Sequence, residues 1–218
     1  MIRLNQVAKS YQETKAVSQI SFEVPAESSI VILGPSGSGK TTLLRLIAGL
    51  EMPDAGEIYL DGALASRAGW VMTPFQRGIG FVFQASALWP HMTVAQNILF
   101  GLYNMPRNEA DNRLHDLLEK MSLTGLENRH PHQISGGEAR RVALARTLAP
   151  RPRRILMDEP LTNVDPELKC KMLSLIKQSV IDAKACLIYV THDASEAAQI
   201  SGRVLTMAEG RLEPLSVK

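Results

Sequence analysis

Apolar residues along this chain fall into short continuous runs that alternate with longer segments of helical periodicity. Residues 29–33 form one such run, which is too short for a helix and stops at Gly34 and Pro35, so it predicts a buried strand. Residues 41–50 carry leucine and isoleucine at helical spacing and predict a helix. Further strands are predicted at residues 2–7, 16–24, 56–61, 78–84, 154–157 and 185–190, and further helices at 108–121, 138–148 and 166–181.

The order of these elements indicates the class of fold. Strands that alternate with helices predict an α/β core with a mostly parallel sheet. From residue 94 to about residue 149 the pattern is mainly helical, which predicts a helical insertion into that core.

Composition narrows the class of protein. The chain has 218 residues and a formal net charge of +2, which suits one domain and indicates neither disorder nor bulk binding of a polyanion. The N-terminus has no apolar signal core, and no apolar run approaches the ~20 residues of a membrane helix. Any membrane role is therefore expected to require a partner.

Cys170 and Cys186 lie in apolar segments without metal-type spacing, and we expect both to be reduced core residues of a cytosolic protein.

A glycine-rich loop joins the strand at 29–33 to the helix at 41–50. Its glycines let backbone N–H groups approach an anion at a helix N-terminus, where the helix dipole also favours negative charge. Lys40 is predicted to reach the β- and γ-phosphates of a nucleotide, and the Thr41 hydroxyl to coordinate Mg²⁺. The alternative is a turn that binds nothing, which the strand–loop–helix order disfavours. The candidate phosphate-binding residues are Gly34, Pro35, Ser36, Gly37, Ser38, Gly39, Lys40, Thr41 and Thr42.

Two carboxylates, Asp158 and Glu159, follow the predicted strand at 154–157. We expect Asp158 to hold Mg²⁺ through water, and Glu159 to polarise an attacking water near the γ-phosphate. The alternative is a pair that caps a helix N-terminus, which the following Pro160 makes less favourable.

His192 follows the predicted strand at 185–190, and ligand groups gather at the carboxyl ends of strands in open α/β sheets. It is predicted to hydrogen-bond the γ-phosphate and to orient the water; the alternative is a satisfied loop histidine. The spacing of Asp193 and Glu196 is typical of a helix cap and predicts no functional role.

Ser135, Gly136, Gly137 and Glu138 form a second candidate anion site in a chain that already has one. The glycines expose backbone N–H groups where a helix begins, and the serine offers a hydroxyl. The same spacing of Ser135 and Glu138 is also typical of a capping box, so a well-capped helix explains the local chemistry equally.

The order of these motifs resembles the ATPase subunit of an ABC transporter across essentially the whole chain. The resemblance implies a P-loop NTPase core with a mostly parallel sheet, an N-terminal antiparallel β subdomain and a helical insertion subdomain. It implies one ABC ATPase domain over residues 1–218, with the nucleotide-binding core and its β subdomain in 1–86 and 150–218. The helical subdomain with the signature is expected in 87–149.

The same resemblance implies roles for individual residues. Tyr11 is expected to stack on adenine, although an edge-strand tyrosine is the plain alternative. Gln84 is expected to sense Mg²⁺ and the attacking water, and Asp165, in a loop where Thr162 and Asn163 replace the usual small pair, to communicate across a dimer. The signature residues Ser135, Gly136 and Gly137 would contact the γ-phosphate of ATP held by the other subunit, giving an ATP-bound homodimer. The implied catalytic set is Lys40, Gln84, Glu159 and His192, and the implied Mg²⁺ set is Thr41, Gln84 and Asp158.

Residues 77–84 and 88–94, with Asn97 and Ile98, resemble bacterial import ATPases of the polyamine, iron, thiamine and molybdate type. This implies a membrane permease as partner, an extracytoplasmic solute-binding protein in the same system, and a location on the cytoplasmic face of the inner membrane. Because the sequence ends soon after the core, we expect no C-terminal regulatory β-domain. A coupling helix of the permease would enter a groove formed by Phe83, Leu88, Trp89, Met92, Ile98 and Phe100, although several of these suit the core.

A second hypothesis is a soluble ABC-type ATPase that regulates a ribosome- or DNA-associated process. The main feature in favour of this hypothesis is a basic segment of the chain. We interpret that segment as a solvated helix face and expect no nucleic acid as partner. Its members are Arg140, Arg141, Arg146, Arg151, Arg153 and Arg154.

Overall fold

The computed structural model describes residues 1–162, 164–200 and 203–214; Asn163 of the predicted dimer loop lies outside them. The strands are β1 (Ile2–Tyr11), β2 (Thr14–Val24), β3 (Ser29–Leu33), β4 (Ala55–Leu60), β5 (Ala63–Arg67), β6 (Trp70–Val71), β7 (Ile79–Val82), β8 (Arg154–Asp158), β9 (Cys186–Thr191), β10 (Val204–Ala208) and β11 (Arg211–Pro214). The helices are α1 (Lys40–Ala48), α2 (Val94–Leu99), α3 (Arg107–Lys120), α4 (Gly136–Leu148), α5 (Pro166–Asp182) and α6 (Ala194–Ile200). Short 3₁₀ turns span Pro74–Arg77, Phe100–Leu102 and Pro131–Gln133.

The central sheet has the strand order β11-β10-β3-β9-β8-β7 within the described residues. Neighbouring strands are parallel except for the hairpin of β10 and β11. The predicted α/β class with a mostly parallel sheet is therefore confirmed. Because β3, β9, β8 and β7 run in one direction, the loops that follow them meet at one edge of the sheet.

This sheet is buried on both faces, which explains the continuous apolar runs of its strands. Alternate residues of β3 and β9 enter two different cores. Val31 and Tyr189 join the core that includes α2 to α5, whereas Ile32 and Val190 join the core between the two sheets and α1. Because both faces of these strands are buried, apolar and polar residues do not alternate along them. Their sequences are continuous runs of apolar residues.

A second sheet is antiparallel, with the order β2-β1-β4-β5-β6. Its presence agrees with the expected N-terminal β subdomain. β1 reaches Tyr11, further than the predicted strand at 2–7, because its register shifts against β2 after Leu4, Val7 and Lys9. Each bulge adds a residue on one strand only and breaks the two-residue period on which the prediction relied.

Helix boundaries moved by one or two residues from their predicted positions. α1 ends at Ala48 rather than at residue 50, because Gly49 adopts a left-handed conformation and closes the helix. α4 begins at Gly136, two residues before the predicted start, because Ser135 caps it. The pattern missed β5, β6, β10 and β11, which are short or partly exposed. In contrast, α2 lies in the segment predicted to be mainly helical, and α6 begins directly after Asp193, where the spacing predicted a helix cap. Cys186 is buried as expected, but Cys170 is exposed, so the prediction of a core position for it was wrong.

Arg77 is fully buried and connects three parts of the fold. Its guanidinium donates to the carbonyl of Ile47 at the end of α1 (2.7 Å), to that of Ala65 in β5 (2.7 Å) and to that of Met72 (3.0 Å). In the described part of the chain no carboxylate lies within ion-pair distance of it. Burial lowers the pKa of the Arg77 guanidinium to about 10, which still leaves it charged at neutral pH. A cation at the carboxyl end of a helix is favoured by the helix dipole.

Arg77→Met should lower the free energy of unfolding by about 3 kcal/mol, because buried carbonyls of α1 and β5 lose their donors. The matched control is Arg107→Met, whose exposed pair with Asp111 at 3.9 Å should contribute less than about 1 kcal/mol. Urea unfolding measures both. Equal stability of the two variants would contradict this role of Arg77.

Candidate functional site

A cleft of about 670 Å³ lies at the edge where the parallel strands end. The phosphate loop forms its floor, and residues from β1, β2, the loop after β7, the loop after β8 and the β10–β11 turn form its walls. Its lining residues are Tyr11, Glu13, Thr14, Lys15, Ala16, Ser36, Gly37, Gly39, Lys40, Thr41, Thr42, Gln84, Glu159, Glu209 and Gly210. The structure thus brings Tyr11, six residues of the phosphate loop, Gln84 and Glu159 into one cavity, whereas Gly34, Pro35, Ser38, Asp158 and His192 do not line it.

The phosphate loop is held in shape by Lys40. Its ammonium donates to the carbonyls of Gly34 and Pro35, at 2.7 Å each, and lies 3.9 Å from Glu159 Oε1. An ammonium has three donors, so two close the loop and one is left for an anion in the cleft. Burial lowers the pKa of Lys40, an effect that the charges of Glu159 and Asp158 oppose.

The acidic pair lies at the end of β8 beside the phosphate loop. Burial raises the pKa of Asp158, and a hydrogen bond from Thr41 acts in the opposite direction. Glu159 is also buried, and its φ of 46° is left-handed, a conformation that costs a non-glycine residue on the order of 1–3 kcal/mol. Its backbone N–H donates to the carbonyl of Val190 in β9 (3.0 Å), which holds it in this position. The strained backbone at Glu159, held by this hydrogen bond, therefore fixes the direction in which its carboxylate points.

His192 contacts that carboxylate. Its Nδ1 lies 3.1 Å from Glu159 Oε2, while the histidine side chain remains 53% exposed. Thr162 adds a longer contact to the same oxygen, from its Oγ1 at 3.4 Å. The ring has little packing of its own, so its orientation depends on this contact and on the backbone that carries it.

Gln84 lies exposed at the cleft, two residues after β7, and arginines of α4 hold the backbone around it. Arg140 donates to the carbonyl of Gln84 (3.5 Å), and Arg146 donates to those of Ala87 (2.9 Å) and Ser86 (3.5 Å). The interpretation of the basic segment as a solvated helix face was wrong for these two arginines.

Arg154 departs from that interpretation as well, because it binds the carbonyl of Arg77 (2.8 Å) and pairs with Asp61. Arg151 and Arg153 are exposed, as expected. Sequence gave no sign of which arginines turn inward, since that depends on which loop packs beside each one.

Tyr11 also lines the cleft and is 43% exposed. Its hydroxyl is hydrogen-bonded to Glu51, and Lys9 lies 5.7 Å from the centre of its ring. An exposed ring beside the phosphate loop is available for stacking with a planar group.

The signature residues lie apart from this cleft. Among the described residues, none of Ser135, Gly136 and Gly137 lines it. Ser135 and Glu138 form the predicted capping box: Ser135 N–H donates to Glu138 (2.7 Å) and Glu138 N–H donates to Ser135 Oγ (3.2 Å). Asp165 likewise caps α5, accepting from the N–H of Glu167 (3.0 Å).

Several lining residues were missed because no local pattern marks them. Lys15 and Ala16 of β2 and Gly210 of the β10–β11 turn reach the cleft only through the fold. Gly210 N–H donates to the carbonyl of Ser38 (3.0 Å), which ties that turn to the phosphate loop. Pairings so distant in sequence leave no trace in periodicity.

Helices long and apolar enough to cross a membrane are absent from residues 1–162, 164–200 and 203–214. In the same residues, no group of three or more His, Cys, Asp or Glu side chains is arranged to hold a metal by itself.

Solved structures of ATP-binding cassettes have the same fold as this chain. A dimeric cassette in a post-hydrolysis state, bound to ADP and Pi, matches with a TM-score of 0.87 at 31% identity, covering 100% of both chains. A dimeric structure of a bacterial ABC transporter cassette matches with a TM-score of 0.85 at 31% identity, again covering 100% of both chains. The predicted P-loop NTPase fold is thereby confirmed.

Curated relatives are import ATP-binding proteins. The chain is 44% identical to a sulfate/thiosulfate import ATP-binding protein of Thermosynechococcus vestitus, over 97% of this chain and 62% of that protein. It is 45% identical to an Fe(3+) ions import ATP-binding protein of Serratia marcescens, over 97% of this chain and 61% of that protein. It is 43% identical to a trehalose/maltose import ATP-binding protein of Thermococcus litoralis, over 97% of this chain and 58% of that protein.

The chain spans about three fifths of the length of these relatives. The model of the ABC transporter family matches residues 17–162, which is more than half of the chain. With the fold and the order of the motifs, this match shows that the chain belongs to the ABC transporter family.

Proposed function

We propose that the chain is the ATP-binding and ATP-hydrolysing subunit of an ABC importer of small solutes. It works as a homodimer with ATP between the subunits and drives a membrane permease. The observation that carries this is the placement of two anion-binding elements in one chain, with only one of them at the cleft.

The cleft suits a nucleoside triphosphate. The N-terminus of α1 and Lys40 face the phosphates, and the exposed ring of Tyr11 stacks on the base. The oxygen donors of Thr41, Asp158 and Gln84 are the kind that Mg²⁺ prefers, so the residues present fit this ion. These residues would hold Mg²⁺, which would supply positive charge against that of the phosphates.

Hydrolysis then depends on the groups that face the γ-phosphate. Glu159 accepts a hydrogen bond from the attacking water, with its carboxylate aimed by the left-handed backbone and by His192. Lys40 stabilises the negative charge of the phosphates. Gln84, which lines the same cleft, contacts the attacking water. His192 hydrogen-bonds the γ-phosphate and keeps the water in line.

The signature site is left open for a partner. A Cβ built on Gly136 meets no atom within 4 Å among the described residues, and one on Gly137 meets only Arg141 Nη1 at 3.9 Å. Neither glycine has a positive φ, so this chain by itself has no steric reason for glycine at either position. A phosphate of the partner's ATP is the ligand that needs close approach to both N–H groups. Ser135 supplies a hydroxyl there, and Asp165, exposed at the start of α5, contacts the partner subunit.

A permease docks on the segment 87–149, next to the loop of Gln84. Trp89 and Phe100 are exposed, with ring centres 5.5 Å apart, beside an apolar groove that Met92, Leu99 and Tyr103 line. This surface fits a short amphipathic helix. Ile98 is fully buried in the core and Leu88 packs against the same core, which is the alternative that the sequence left open for these residues.

Asn97 fixes the loop that presents the tryptophan. It is buried, accepts from the N–H of Trp89 (2.9 Å) and donates to the carbonyls of Trp89, Met92 and Thr93. A loop held this firmly offers a preformed docking surface, with little ordering cost on binding.

Import is supported by the names of the relatives, which describe importers of different solutes. We accordingly place the chain on the cytoplasmic face of the inner membrane, bound to a permease that works with an extracytoplasmic solute-binding protein. The residues 1–86 and 150–218 act as the nucleotide-binding core, and 87–149 as the helical subdomain. The inward contacts of Arg140 and Arg146 weaken the alternative of a ribosome- or DNA-associated regulator.

Gly37→Ala and Gly39→Ala should differ in stability. Both glycines have positive φ, which costs alanine about 1 kcal/mol, but only the Cβ at position 39 collides with the Ala16 carbonyl and Met207. Gly39→Ala should therefore lose roughly 1–3 kcal/mol more in urea unfolding without nucleotide. Equal losses would contradict a packing role for Gly39.

Glu159→Gln should lower kcat of the ATPase by about 100-fold or more, because the water loses its base. Light scattering should show that this variant forms a dimer when MgATP is added. The control is Glu167→Gln, an exposed carboxylate paired with Lys171, which should behave as the parent. A Glu159→Gln protein that stays monomeric under saturating ATP would count against the proposed function.

Gly136→Ala should keep or raise the stability of the free chain, because alanine favours the helix by up to about 1 kcal/mol. In the Glu159→Gln background it should nevertheless abolish ATP-driven dimerisation. Gly101→Ala is the control, since its Cβ would make only ordinary contacts with Pro150 at 3.4 Å. If the Gly136→Ala protein still dimerises with ATP, the signature serves only as a helix cap.

A further inference from the structure

A buried ion network lies directly behind His192. Glu196, in α6, is 3% exposed, and its carboxylate accepts from the hydroxyls of Tyr189 (2.9 Å) and Thr191 (2.8 Å). The ammonium of Lys169, in α5, lies 2.8 Å from Glu196 Oε1 and 3.0 Å from Asp193 Oδ2. Both oxygens of this buried carboxylate have donors, which offsets its desolvation and fixes the position of each donor.

This network holds both neighbours of His192. On one side the Thr191 hydroxyl donates to Glu196 and accepts from the N–H of Asp193 (3.0 Å). On the other side Asp193 accepts from the N–H and hydroxyl of Ser195 and from Lys169. The hydrogen bonds of Asp193 with Ser195, and next with Lys169, lower its pKa, so it stays ionised and paired.

The same lysine reaches the loop of Asp165. Lys169 lies in the first turn of α5, and its backbone N–H donates to the carbonyl of Asp165 (2.7 Å), the residue that caps this helix. One helical turn therefore joins the Asp165 loop to the lysine that binds Asp193 and Glu196. Within the described residues, Lys169 is the cation that pairs with both Asp193 and Glu196.

We infer that Lys169 is a positioning residue, which couples the dimer-facing loop at Asp165 to the orientation of His192 through Asp193 and Glu196. This inference rests on the proposed function, because it concerns the roles proposed for Asp165 and His192. It gives Asp193 and Glu196 a role in positioning His192, in addition to the helix capping that their spacing indicates. Asp193 does cap α6, but Glu196 turns inward to the lysine.

Lys169→Met tests the inference, with Lys169→Arg as the conservative rescue and Lys171→Met as the control on the exposed face of the same helix. Lys169→Met should lower kcat of the ATPase by roughly 10- to 100-fold, because a misplaced catalytic group costs about that much, while KM for ATP stays within about twofold. Lys169→Arg should recover most of the activity, and Lys171→Met should match the parent. A kcat within about twofold of the parent in a folded Lys169→Met protein overturns the inference.

A second readout does not need turnover. With ¹³C-labelled histidine, the His192 ring resonance should shift in Lys169→Met and stay in place in Lys171→Met. An unmoved resonance in Lys169→Met overturns the inference even if the protein is less stable. Should Lys169→Met not fold, Glu196→Gln, which keeps the shape and removes the charge, must show the same shift and the same loss of kcat; parental values overturn the inference.

The experiments distinguish a failure of the proposed function from a failure of this inference. If the parent chain does not hydrolyse MgATP and its Glu159→Gln variant does not dimerise, the ATPase assignment is wrong, whatever the resonance of His192 does. If the parent is active and only the effect of Lys169→Met is missing, the ATPase assignment stands and the coupling through Lys169 is wrong.

Discussion

The parallel pairing of β3 with β9 and of β9 with β8 is the constraint on which the candidate site depends. Parallel strands in register end at the same edge, so the phosphate loop, the acidic pair and His192 must meet there. Backbone contacts complete the arrangement: the N–H of Glu159 binds the carbonyl of Val190, and the N–H of Gly34 that of Thr191. The carboxylate and the lysine of the site are thus positioned by the sheet itself.

Buried charges are the second feature that shapes this fold, and each has partners that offset its desolvation. Arg77 uses backbone carbonyls of α1 and β5. Glu196 uses two hydroxyls and Lys169. In each case a charge with a fixed hydrogen-bond geometry holds neighbouring segments of the chain in one arrangement. Apolar packing alone is less directional and would specify that arrangement less well.

Arginines of the helical segment bind the loop that carries Gln84 to the cleft. Arg140 and Arg146 of α4 hold the loop after β7, and Arg146 also lies 5.8 Å from the ring centre of Trp89. The helix that begins with the signature glycines therefore also holds the Gln84 loop and contacts the aromatic docking surface. One rigid element thereby connects three regions to which we assign nucleotide, partner-subunit and permease contacts.

The sequence by itself determined the class of fold and most of the cleft. The phosphate loop, the acidic pair and His192 each consist of neighbouring residues that follow a strand. They can therefore be recognised from the sequence alone. Tertiary structure decided what depends on pairings far apart in the chain: the approach of Lys15 and Gly210 to the cleft, the inward turn of the arginines, and the network of Lys169. The bulges in β1 were not predicted for the same physical reason, since periodicity reports one face of one element, whereas the continuous apolar runs did predict that the central strands are buried. Which residues lie across from that face is set only when the chain is packed.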